Sequence, residues 1–102
     1  MSSLSLSESE VIVTLEDSTV AHFDTLYVAL GTSACSKLAE TLGAPLTKDG
    51  CIVTDVQRKT SIDGVYAIGD ITDGLDQIAH AMGQAAIAAT AIHNDMSEKD
   101  QL

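Results

Sequence analysis

Basic residues are scarce in this chain. Five lysines and arginines stand against fifteen aspartates and glutamates in 102 residues, a formal charge of −10, and such a surface repels phosphate backbones and anionic lipid. Nucleic acid and membrane partners are therefore not expected. Aromatic side chains are rarer still, with one Phe, two Tyr and no Trp, so Ala, Val, Ile and Leu must fill the interior and the elements must pack closely. Cys35 and Cys51 are the only cysteines, and they have neither a second pair for zinc nor the C-x-x-C spacing of a dithiol redox centre. Two buried or half-buried free thiols are expected. No run approaches the ~20 apolar residues of a membrane span, and Met1 to Glu10 lacks the positive stretch and apolar core of a signal peptide. The chain is read as cytoplasmic on these grounds. No G-x-G-x-x-G follows a strand, so no phosphate-cradling fingerprint of that kind is present.

What is present has ordinary globular composition, 45 % hydrophobic and 20 % charged. A chain of this length makes one modest core, hiding roughly 60 to 65 % of its unfolded surface. Residues 1–9 are serine-rich and acidic and residues 95–102 are polar without periodicity, so both ends are expected to be frayed, disordered tails. Val11, Val13 and Leu15 alternate with Ile12, Thr14 and Glu16, turn chemistry comes next at Glu16 to Thr19, and Val20 to Phe23 completes a β-hairpin. Leu26 to Leu30, closed by Gly31-Thr32, is a continuous apolar run of the type found in parallel strands covered on both faces. A short helix with a possible serine cap is expected over Ser36 to Leu42, stopped by Gly43-Ala44-Pro45. Cys51 to Thr54 and Val65 to Ile68 read as further strands.

The longest element is expected from about Leu75 to Asn94, where Ile78, Met82, Ala85, Ala86, Ala89 and Ile92 form one stripe at helical spacing. Asp73 or Asp76 can cap its start and Asn94 can close its end. Gly83, its lone glycine, costs about 1 kcal/mol relative to alanine and is read as the mark of a close backbone or ligand approach.

The chemistry concentrates where the strand Val65 to Ile68 runs into Gly69-Asp70, with a short loop and a helix start behind it. Ligands of open α/β sheets bind at the carboxyl edge of the strands. Free helix amides favour negative charge there, and an aspartate can accept from the hydroxyls of a sugar or polyol. The plain alternative is that Asp70 only caps the next turn, as in many unrelated sheets. Asp63, Asp70, Asp73 and Asp76 could suggest a cation site, but they fall where caps are expected, and His22, His80 and His93 lack metal-pair spacing. No metal is assigned.

The stretch Thr60-Ser-Ile-Asp-Gly-Val-Tyr-Ala-Ile-Gly-Asp70 resembles the second flavin-binding motif of FAD-dependent pyridine nucleotide-disulfide oxidoreductases. The next segment, from Asp73 through Gln77-Ile-Ala-His80 to the alanine-rich helix, looks most like the thioredoxin reductase branch. The resemblance spans about Glu10 to Asn94. It implies an α/β fold, the C-terminal half of a Rossmann-like FAD-binding domain (residues 24–94), joined to a β-hairpin (residues 10–23) like the one that ends the NAD(P)H domain. It further implies that Asp70 accepts hydrogen bonds on the flavin side of FAD's ribityl and pyrophosphate portion, from hydroxyls there, and that Gly69 permits close approach. Ile71, Gln77 and Ile78 would supply backbone or apolar contacts near the isoalloxazine. The helix amides would aim at the flavin N1 and C2 carbonyl, where charge collects on reduction. Asp76 departs from the pattern, because an arginine is common before the glutamine in thioredoxin reductases.

Without either glycine fingerprint or a C-x-x-C, the chain cannot complete hydride and disulfide chemistry alone. Its expected partner is the remaining N-terminal FAD and NAD(P)H portion, in the same enzyme or as a second chain. The complete enzyme would be a homodimer that takes hydride from NAD(P)H and passes electrons to a thioredoxin-like acceptor. Two other readings stay open: a flavin reductase with a non-disulfide acceptor, and a stand-alone, non-catalytic α/β binding or assembly module.

Overall fold

The computed structural model describes residues 2–101, which fall into two compact units that divide between Gly31 and Thr32. The first is an antiparallel sheet of three strands in the order β1 (Ser3–Leu6), β2 (Val11–Thr14), β3 (Val20–Phe23). The expected hairpin forms β2 and β3, pairing Val11 with Phe23 and Thr14 with Val20. Its turn is closed by Leu15 N–H to Thr19 O at 2.8 Å and by Thr19 N–H to the Asp17 carboxylate at 2.9 Å. The bonds from Thr19 hold the Asp17 carboxyl below the usual carboxylate range. The serine-rich start, expected to be frayed, is instead β1, with Leu4 opposite Val13 and Leu6 opposite Val11. Alternating Ser and Leu is a period-two pattern, and β2 offers it an edge. The register puts Leu4, Leu6, Val11, Val13, Ala21 and Phe23 on one face.

Leu26 to Leu30 forms no strand, a second departure from expectation. An apolar run becomes a strand only when neighbouring backbone supplies its N–H and C=O partners. No ladder reaches it among the described residues, and Tyr27 and Leu30 are 89 % and 93 % exposed.

The second unit holds a small core of Ala39, Ala44, Ile52 and Ala67, with Leu46, Ile62 and Ile71 packed against it. Helix α1 (Lys37–Thr41) supplies Ala39, and the long helix α2 (Ile78–Asp100) buries Gln84, Ala88 and Ala91. Ser36 precedes α1 without capping it, because its hydroxyl donates instead to Gly50 O at 2.6 Å. The expected strands at Cys51–Thr54 and Val65–Ile68 reduce to single bridges: Ile52 antiparallel to Leu46 and parallel to Thr72, and Tyr66 antiparallel to Lys59. Helix α2 starts at Ile78 behind Gln77, which makes no side-chain cap bond, so neither Asp73 nor Asp76 caps it. It also runs past Asn94 to Asp100, and most of the C-terminal stretch expected to be a tail is helix. Cys35 is exposed, more open than expected, and Cys51 is half-buried; both are free thiols.

Candidate functional site

Residues 68–72 build the tip on which Asp70 sits. Ile68 is extended and leads into a 3-10 turn at Gly69–Ile71. Gly69 takes φ +78°, a left-handed conformation that a Cβ disfavours. The buried Thr72 closes the turn twice, its N–H reaching Gly69 O at 2.9 Å and its hydroxyl reaching the same oxygen at 2.8 Å. Ile52 N–H then donates to Ile71 O at 2.8 Å in the parallel pairing of Ile52 with Thr72. Asp70 thus stands exposed at the end of a short parallel contact.

Two cavities flank this tip. One, of about 410 Å³, is lined by Ile71, Thr72 and Gly74 together with segments carrying Cys35, Asp49 and Cys51. The other, of about 390 Å³, is lined by Gln77, Ile78, Ala81, Met82 and Ala85 along the first turns of α2. Asp70 and Asp76 line both. The structure therefore brings Asp70, Gln77 and Ile78 to one wall and puts Ile71 on the other side of Asp70. Gly69 lines neither cavity: its N–H turns inward to the Gln84 carboxamide at 2.6 Å. The first-turn amides of α2 open beside Asp70, where they have no acceptor within the helix.

The first cavity carries four aspartates, Asp49, Asp70, Asp73 and Asp76, and no lysine or arginine. Such a lining suits hydroxyl donors and opposes a pyrophosphate. Among the described residues, no group of three or more His, Cys, Asp or Glu is placed to hold a metal ion. No helix among them is long and apolar enough to cross a membrane.

Some organising residues carry little signal in the sequence. Asp95 accepts from Lys59 Nζ at 2.8 Å and from the Tyr66 hydroxyl, tying the far end of α2 to the loop that leads to Gly69. Lys59 first, then Tyr66, holds the Asp95 carboxyl below the usual carboxylate range, and Asp95 in turn raises both Lys59 and Tyr66 above their ordinary values. Gln84 bridges Gly69 to His80, whose Nε2 is 2.9 Å from the Gln84 amide nitrogen. Its one sequence signal is a polar residue four positions after a histidine in a run of alanines.

Residues 3–85 match the family model described as pyridine nucleotide-disulphide oxidoreductase. The chain belongs to that family. It is 40 % identical over 63 residues to a dihydrolipoyl dehydrogenase of Staphylococcus aureus, a match that covers 62 % of this chain and 14 % of that protein. A dihydrolipoyl dehydrogenase of Buchnera aphidicola is 40 % identical over 79 residues, 74 % of this chain and 16 % of its own length. Among solved structures, a thioredoxin reductase from Streptococcus pyogenes superposes with a TM-score of 0.73 at 28 % identity, covering 88 % of this chain and 30 % of that one. The thioredoxin reductase of T. acidophilum gives 0.66 at 29 % identity, covering 86 % and 30 %. The α/β fold expected from the resemblance is thus the fold of this family member. The chain spans less than a third of the length of each of these relatives.

Proposed function

We propose that this chain forms the flavin-side wall of an FAD site in an NAD(P)H-dependent oxidoreductase resembling thioredoxin reductase. One observation carries the reading: Asp70 and the opening turn of α2 line the same cavity, in a chain whose residues 3–85 match the family. Asp70 would accept from ribityl hydroxyls, and Ile78 would offer apolar contact beside the isoalloxazine. The free first-turn amides from Ile78 to His80 would face the N1 and C2 carbonyl edge, where the helix dipole favours developing negative charge. Gly69 and Ile71 would hold Asp70 in place. FAD, once bound, would supply the capacity to accept hydride from NAD(P)H. The acidic first cavity fits hydroxyls and not phosphates, so the pyrophosphate would be held by the remaining N-terminal portion, on the same chain or a second one. A homodimer, a thioredoxin-like acceptor and a cytoplasmic setting belong to the same reading.

The test is purification of the protein with whatever partner accompanies it. Paired flavin absorbance bands that bleach on addition of NAD(P)H support the reading; bleaching without reduction of a protein disulfide points to a non-disulfide acceptor. Colourless, stably folded material that takes up no FAD sinks it in favour of a stand-alone module. Asp70→Ala should weaken FAD retention by about ten- to a hundredfold, the worth of a hydrogen bond to a charged group, while apoprotein stability stays unchanged. Equal loss of both would make Asp70 a structural cap.

A further inference from the structure

Gln84 is the buried polar side chain of α2, 4 % exposed, and both ends of its amide are engaged. Gly69 N–H lies 2.6 Å from one end, and His80 Nε2 lies 2.9 Å from the other. A backbone N–H can only donate, so the carboxamide oxygen must face Gly69. The amide NH2 is then turned to His80, where it too can only donate. His80 Nε2 must therefore accept, and the ring proton of the neutral imidazole must sit on Nδ1. A Cβ built on Gly74 would come within 3.3 Å of that same Nε2, so Gly74, in the segment between Asp70 and α2, lies beside the ring nitrogen, while His80 itself is exposed. That segment carries Asp70, Asp73 and Asp76, all exposed, and α2 has no other titratable side chain before His93.

We propose that Gln84 and His80 form a proton-sensitive latch on the turn that carries Asp70, with Gln84 as its positioning residue. With His80 neutral, both contacts hold and the carboxamide has one permitted orientation. A second proton on the ring sets N–H against NH2. Either the ring swings away and leaves the buried NH2 without an acceptor, or the amide flips and sets NH2 against Gly69 N–H. Both outcomes loosen the clamp on Gly69. If the flavin reading holds, on which this consequence alone rests, FAD affinity falls when the His80 ring takes up its second proton.

The latch is tested by NMR on the chain itself, without flavin. The ring nitrogens of His80 should show the Nδ1–H tautomer at neutral pH. The Gly69 amide resonance should follow the His80 ring signals as pH falls, with its protection from exchange dropping about fivefold, the worth of one lost hydrogen bond. In His80→Ala, which removes both the titrating ring and the acceptor of the Gln84 NH2, the Gly69 resonance should no longer move with pH and its protection should stay at the low-pH level of the parent, while the rest of the spectrum is retained. Gln84→Glu should reverse the sign, because a carboxylate accepts from both Gly69 and imidazolium. An Nε2–H tautomer in the parent chain, or a Gly69 resonance that responds identically in His80→Ala, overturns the latch. A chain that shows the latch and binds no FAD keeps it and removes only the flavin reading.

Discussion

At the scale of single residues, two glycines near the site do opposite jobs. Gly69 is required by its backbone: at φ +78° an alanine is strained, even though its Cβ would meet nothing nearer than the Ala81 Cβ at 3.8 Å. Gly69→Ala is expected to cost about 1–2 kcal/mol in urea unfolding, all of it from conformation. Gly83 is the reverse case. Its place in an alanine-rich helix suggests a close approach, but a Cβ there meets nothing within 4 Å and the residue is helical. Gly83→Ala should stabilise the chain by about 1 kcal/mol by removing the glycine penalty inside a helix. A destabilised Gly83→Ala chain would show that the helix tolerates no side chain there for a reason outside these contacts. Sequence alone does not separate the two, because a glycine's dihedral and its surroundings are both set by residues distant in the chain.

At the scale of elements, local chemistry is legible in the sequence and long-range pairing is not. The hairpin of β2 and β3 comes directly from alternation and an Asp-Ser turn, and α2 from an apolar stripe in an alanine-rich run. The site is legible to the extent that Asp70, Gln77 and Ile78 do meet at one wall. The strands expected at Leu26–Leu30 and Val65–Ile68 are not realised, since apolar content states a preference for burial and leaves the partner unnamed. The extension of α2 to Asp100 escapes the sequence for a related reason. Its last turns are held by the bonds from Lys59 and Tyr66 to Asp95, residues 36 and 29 positions away. Those bonds set a pH window. The lowered Asp95 contributes stability that is present above the unfolded carboxylate range, roughly pH 4, and is lost as pH falls through its folded value. The raised Lys59 and Tyr66 contribute stability that is present below roughly pH 10 and is lost as pH rises through their folded values. Amide exchange of Met96 to Asp100 should therefore be slowest between those limits, once corrected for its intrinsic pH dependence, and should speed up at both ends. In Asp95→Ala it should be fast throughout, and a helix end indifferent to that change would mean the bonds are incidental.

At the scale of the whole molecule, two features oppose each other. A formal charge of −10 repels copies of the chain from one another. Against it stand large apolar side chains in water: Leu6 at 73 %, Tyr27 at 89 %, Leu30 at 93 % and Ile78 at 83 % exposed. The three-stranded sheet adds open edges at β1 and β3, and three strands are near the minimum for an independent sheet. Charge repulsion acts over a Debye length, which shrinks from about 30 Å at 0.01 M salt to about 8 Å at 0.15 M. Apolar association acts at contact and does not weaken with salt. The chain is therefore expected to sediment as a monomer at low salt and to self-associate as salt rises to physiological levels. Replacing Tyr27 and Leu30 with serine should shift that onset to higher salt, since it removes two of the most exposed apolar groups while leaving the charge unchanged. A chain that stays monomeric at every salt concentration would show that these side chains find cover within the molecule in solution.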